Sequence, residues 1–158
     1  MITLRERGVP FSSSATVEEL GELDRRTFVN HRSVNIAGVS HENRDGTNRQ
    51  QIVARCSPGE VLRLEREEDN PVDPNAVAVV RLNGEQLGYL PREDAVRVIE
   101  GSEEGWTYAG VISKILDDGI RGHYLGVGMS LVYAHSTADR DAVTKHVNDL
   151  INRYRERT

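Results

Sequence analysis

Asp73 sits in the run DNPVDPN (69–75), and Tyr89 and Arg92 follow in GYLPRED. Together they offer a carboxylate that accepts hydrogen bonds, a phenol ring that stacks, and a guanidinium whose planar fork matches phosphate or carboxylate. The steps Asn70-Pro71 and Asp73-Pro74 stiffen this stretch, because proline presets its own φ and restricts the residue before it. So rigid a loop is either a tight connector, with Asp73 and Asn75 closing their own turns, or a fixed backbone that holds polar groups toward a ligand. Arg44 and Arg49 add cations upstream. Arg49 falls in the first turn of a helix expected after Thr47, where positive charge opposes the dipole, and that placement hints at a ligand. Arg92 also opens a helix, whose free N–H groups can meet an anion. Glu93 and Asp94 beside it disfavour a bare anion site. Unless these arginines converge, they read as ordinary solvated side chains.

Other chemistries find less support. The five histidines, His31, His41, His123, His135 and His146, have no close metal-ligand spacing, and Cys56 is the single cysteine. Neither GVGMS nor NGEQLG continues into the Lys-Ser/Thr of a phosphate loop, and no G-x-S-x-G elbow is present. An enzyme would have to use Asp73 with a histidine such as His41. No ATPase or nuclease activity, no metal and no cofactor is therefore expected. No run approaches the roughly 18 apolar residues of a membrane span, and the first residues lack a secretory pattern. A soluble, cytoplasmic protein is the plain expectation. The net charge of −5 argues against a general polyanion binder, so any nucleic-acid site must be local.

The elements that position these residues follow from periodicity. Residues 1–33 read as an extension, loose at GVPFSSSA, with a short helix capped by Thr16-x-x-Glu19. A strand begins at VNIAGVSH (34–41), and Thr47-x-x-Gln50 is a capping box for a short helix carrying Ile52, Val53 and Cys56 on one side. EVLRLERE places Leu62 and Leu64 on one face and Arg63 and Glu65 on the other. AVAVVRL has little polar content, so both its faces should be covered. Asn83-Gly84 suits a two-residue type I′ turn into the strand EQLGYL. Pro91 fits the first position of a helix buried through Ala95, Val98 and Ile99. WTYAGVISKIL and HYLGVGMSLVYA form a hairpin signalled by Asp118-Gly119, and Gly126, Gly128 and Ser130 give the second strand a small face for close approach or tight coiling. Val143, Val147, Leu150, Ile151 and Tyr154 mark an amphipathic helix from about Thr137 to Arg155. The order β-α-β-β-β-α-β-β-α predicts an α+β, mainly β fold: a small antiparallel barrel with inserted helices and a C-terminal helix.

The combination IAGVS, DGTNRQQI, NPVDPNAVAV and GEQLGYLPRE resembles the HIRAN domain over roughly residues 34–133. The resemblance implies a modified OB barrel of about six strands that binds single-stranded DNA at its 3′ end. It assigns Asp73 to the terminal 3′-hydroxyl, Asn75 to bracing the loop, Arg92 to the bound backbone and Tyr89 to a place held by His or Tyr. A carboxylate accepts from a hydroxyl but repels phosphate, which gives end selectivity a physical basis. Val72 stands where the family often has an aromatic, and His41 lies near another such position. Base stacking on an aromatic is worth roughly 1–3 kcal/mol per base, so these departures weaken binding or change the ligand.

Three segments are expected: an extension over 1–33, the barrel over 34–134 and the C-terminal helix within 135–158. The barrel segment carries 10 basic and 16 acidic residues, which makes DNA binding weak or strongly salt-limited. The expected function is a non-catalytic module for single-stranded DNA 3′ ends in repair or fork processing, with Arg44, Arg49 and Arg92 facing phosphates. The family's place in fork-remodelling helicases implies a helicase or nuclease partner. The alternative is a protein-interaction module that keeps the barrel and has lost the DNA platform at Val72. The feature that separates the two is whether the arginines share one face with Asp73.

Overall fold

The computed structural model describes residues 29–120, 122–134 and 140–156. The helix expected from Thr16 lies outside the described residues. The elements run β1 (Asn30–Asn35), α1 (Arg49–Val53), β2 (Val61–Arg66), β3 (Val77–Arg81), β4 (Gln86–Tyr89), α2 (Arg92–Glu103), β5 (Thr107–Leu116), β6 (Gly126–Ala134) and α3 (Arg140–Glu156). Strand and helix order match the expectation. The first strand starts at Asn30, four residues ahead of the expected VNIAGVSH strand.

The six described strands pair antiparallel in the order β1-β6-β5-β2-β3-β4. Register shifts in β5–β6 and β3–β4 coil the sheet, as bulges do. The two edges then meet. Ala37, just past β1, exchanges both backbone hydrogen bonds with Tyr89 of β4, at 2.8 and 2.9 Å. The curled sheet is closed at that bridge. Gly88 permits it, because a Cβ there would lie 2.3 Å from the Ala37 carbonyl oxygen.

Leu62, Leu64, Val77, Val79, Ile112 and Met129 have no measurable exposure and fill the concave side, with Leu64 opposite Val79 and Ile112 opposite Met129. β3 is covered on both faces, since Ala78 and Val80 are buried too. Arg63, on the face opposite Leu62 and Leu64, is only 6% exposed. The small face of β6 receives α3: Ser130 and Tyr154 share a buried hydroxyl–hydroxyl hydrogen bond of 2.6 Å. Val143, Val147 and Leu150 dock on this side against β5 and β6.

Three local readings are corrected. The cap of α1 is Asn48, whose side chain accepts from the Gln51 N–H, not Thr47. Gln50 is drawn instead to tertiary partners, donating to the carbonyls of Val39 and Leu125 and accepting at Oε1 from the Leu125 N–H. Thr47 turns to Asp45, and that hydrogen bond draws the Asp45 carboxyl below its usual range. The 81–85 hairpin is not a two-residue type I′ turn, because the Gly84 N–H bonds the Arg81 carbonyl and the Arg81 N–H bonds the Glu85 carbonyl, with Gly84 at φ 97°. Pro91 is the residue that precedes the α2 helix and caps it, not its first helical position.

Candidate functional site

The 67–76 loop is tied together by its own side chains. Asn70 Oδ1 accepts from the N–H groups of Val72 and Asp73 at 2.9 and 3.0 Å, and Asp73 Oδ1 accepts from the Asn75 N–H at 2.9 Å. Backbone bonds from Ala76 to Asp73 and from Glu67 to Ala76 close the rest. Asn75 is exposed, and its Oδ1 accepts from Arg66. Turn chemistry therefore uses one oxygen of Asp73 and leaves the other. Asp73 Oδ2 lies 3.5 Å from Arg92 Nε, with the Arg92 side chain 78% exposed. A pair this long, with its arginine in solvent and its carboxylate half-buried, is worth little, about 0–1 kcal/mol.

Val72, Asp73, Tyr89 and Arg92 line one concavity of about 330 Å³, together with Asn70 and Leu90. β4 and the start of α2 supply its floor and the loop its wall. Val72 is 85% exposed at the loop apex. Tyr89 is held from behind, where its hydroxyl donates to Glu67 Oε1 at 2.8 Å and Asn70 Nδ2 donates to the same oxygen at 3.0 Å. Sequence reasoning missed Glu67, because in EREED it looks like one of a solvated charge run. What marks it is that Tyr89 and Asn70 converge on one of its oxygens.

The other two arginines do not join this site. Arg49 is 6% exposed; its Nε donates to Asn43 Oδ1 at 2.7 Å, and an Nη donates to the Gly38 carbonyl at 2.8 Å. Its guanidinium stands 5.2 Å from the Tyr89 ring centroid. The charge that opposes the dipole of α1 thus has partners within the fold, Asn43, the Gly38 carbonyl and the Tyr89 ring. His41 is exposed beside this arginine, close to Gly38. Arg44 lines a separate concavity with Asp45, Asn83 and Glu85. Of the three arginines, only Arg92 shares a face with Asp73. Among the described residues no group of three or more histidine, cysteine, aspartate or glutamate side chains could hold a metal, and no helix is long and apolar enough to cross a membrane.

Several solved structures are similar to this chain. The crystal structure of the HIRAN domain of human HLTF is 20% identical, covering 79% of this chain and 88% of that one, with a TM-score of 0.47. A protein from Lactobacillus plantarum is 20% identical over 66% of this chain and 97% of its own, with a TM-score of 0.49. The HLTF HIRAN domain in its DNA-bound conformation is 19% identical over 80% of this chain and 87% of that one, with a TM-score of 0.40. No curated protein matches the chain. The HIRAN domain profile matches residues 29–120, from the residue before β1 into the loop after β5, which is more than half of the sequence. On that match the chain belongs to the HIRAN domain family.

Proposed function

We propose that this protein is a non-catalytic module that binds single-stranded DNA by its 3′ end, in repair or replication-fork processing. The observation that carries the reading is the convergence of Asp73, Tyr89 and Arg92 on one concavity, with Asp73 Oδ2 paired to an exposed arginine. A terminal 3′-hydroxyl donates to that oxygen, Arg92 turns to the nearest phosphate, and Tyr89, fixed by Glu67, offers a ring to the end base. With one arginine at the site and 16 acidic residues in the barrel segment, binding is salt-limited.

Fluorescence polarisation with short oligonucleotides differing only at the 3′ end tests this. A 3′-hydroxyl strand binds about ten- to hundredfold tighter than a 3′-phosphate strand, which loses a charge-assisted hydrogen bond of about 1.5–3 kcal/mol. Asp73→Asn shrinks the preference while keeping an acceptor for the Asn75 N–H. Val72→Tyr restores a stacking face and strengthens binding by up to about 1–3 kcal/mol. Equal binding of both ends, unmoved by either substitution, overturns the reading. A specific observation favours the second reading, a protein-interaction module: Arg44 and Arg49 stand away from Asp73, and Val72 supplies no ring.

A further inference from the structure

A second concavity, of about 390 Å³, lies along α2 and is lined by none of the residues that line the first. Its floor is aromatic. Tyr108 of β5 faces Tyr133 of β6 across the ladder, with ring centroids 5.9 Å apart. Trp106 stands 6.2 Å from Tyr133 with the two planes only 3° apart, and 6.4 Å from Tyr108 at 26°. Centroids near 6 Å and nearly parallel planes mean that the three rings are laterally offset, not piled face on face. Tyr108 is buried, whereas Trp106 and Tyr133 are half-buried. Gly101 lets α2 sit this low: a Cβ there would meet the Tyr108 hydroxyl oxygen at 2.0 Å and Trp106 at 2.9 Å.

The rim is acidic. Arg32 and Asp94 neutralise each other at 3.1 Å, which leaves Arg97 against Glu100 and Glu104. Burial first, then Tyr133 and the Glu104 carboxylate, hold the Tyr108 hydroxyl well above its ordinary range. Aromatic faces carry negative potential and attract cations, and arginine does so best because its plane both stacks and forks onto carboxylates.

We propose that this slot takes an arginine side chain presented by a basic segment of a partner protein. Charge complementarity selects the occupant: the slot carries an excess carboxylate and the chain a net charge of −5. The excess carboxylate draws a basic peptide in and repels a phosphate placed at the slot. The surface is independent of the Asp73 concavity, so either proposal can fail alone.

Trp106 is the single tryptophan of the chain, so its emission reports the slot directly. The full chain is titrated with the blocked peptide Gly-Arg-Gly-Arg-Gly, with its citrulline counterpart and with a short oligothymidine, by emission and in parallel by calorimetry. The arginine peptide binds saturably and at least about tenfold tighter than the neutral citrulline peptide. Glu100→Gln with Glu104→Gln, both at exposed positions, weakens it about five- to tenfold at unchanged melting temperature, while Asp73→Asn leaves it unaltered. Equal binding of the citrulline peptide, indifference to the double substitution, or saturable binding of the oligothymidine alone would each overturn the assignment.

Discussion

Replacing Arg49 distinguishes a structural arginine from a phosphate contact. Its guanidinium donates to Asn43 Oδ1 at 2.7 Å and to the Gly38 carbonyl at 2.8 Å, and stands 5.2 Å from the Tyr89 centroid. Asn43 in turn donates to the Gln86 carbonyl at the start of β4. One side chain therefore ties the 38–48 loop to the strand that carries Tyr89. Arg49→Met keeps most of the stem packing and removes every donor. Each charge-assisted hydrogen bond is worth about 1.5–3 kcal/mol and the ring contact about 0.5–2 kcal/mol. Relief of guanidinium desolvation offsets part of this. The net loss is about 2–4 kcal/mol, a fall of roughly 5–15 °C in melting temperature for a chain of this length. Arg49→Lys recovers only part, because one ammonium cannot reproduce the fork. Urea unfolding followed by circular dichroism measures the loss, with the denaturant slope unchanged. The binding arm runs on Arg49→Met, at a temperature where it is still folded: its salt slope for oligonucleotide binding stays that of the parent, while Arg92→Ala lowers the slope by about 1. Arg49→Met within about 0.5 kcal/mol of the parent would refute the reasoning.

Gly88→Ala places a methyl 2.3 Å from the Ala37 carbonyl oxygen and breaks the bridge that closes the barrel. Hydrogen exchange then shows lost protection at the Ala37 and Tyr89 amides, with protection in β5 and β6 kept. Leu150→Ala empties a 1%-exposed site under α3 and costs about 2–5 kcal/mol in urea unfolding. The Cys56 thiol is pushed up to about 12, first by burial and then by Glu60. Iodoacetamide at pH 8 therefore alkylates the native protein at least about tenfold slower than the urea-unfolded chain. The same shift makes stability complete below the unfolded value of 9 and lost as pH rises toward about 12.

Local signals carried most of the fold. Alternation in Leu62–Leu64, the all-apolar run of β3 and the 3.6-residue stripe of α3 need only neighbours along the chain, so they were legible without coordinates. The rigid 69–75 loop was legible for the same reason, since Asn70 and Asp73 close turns within three residues of themselves. Caps were less so: Thr47 and Gln50 spell a capping box, but Gln50 found Leu125, far along the chain, a partner no local pattern reveals. Arginine convergence was likewise undecidable. Arg44, Arg49 and Arg92 differ only in which loop or strand lies beside them, and barrel closure at Ala37 and Tyr89 decides that. By itself the sequence determined the order of strands and helices and the chemistry available at Asp73, Tyr89 and Arg92. Only the tertiary structure decided that Arg49 is buried, that Glu67 stands behind Tyr89, and that Trp106, Tyr108 and Tyr133 form one floor. Side-chain charge and turn propensity are properties of a residue, whereas burial and convergence depend on strand register across long separations.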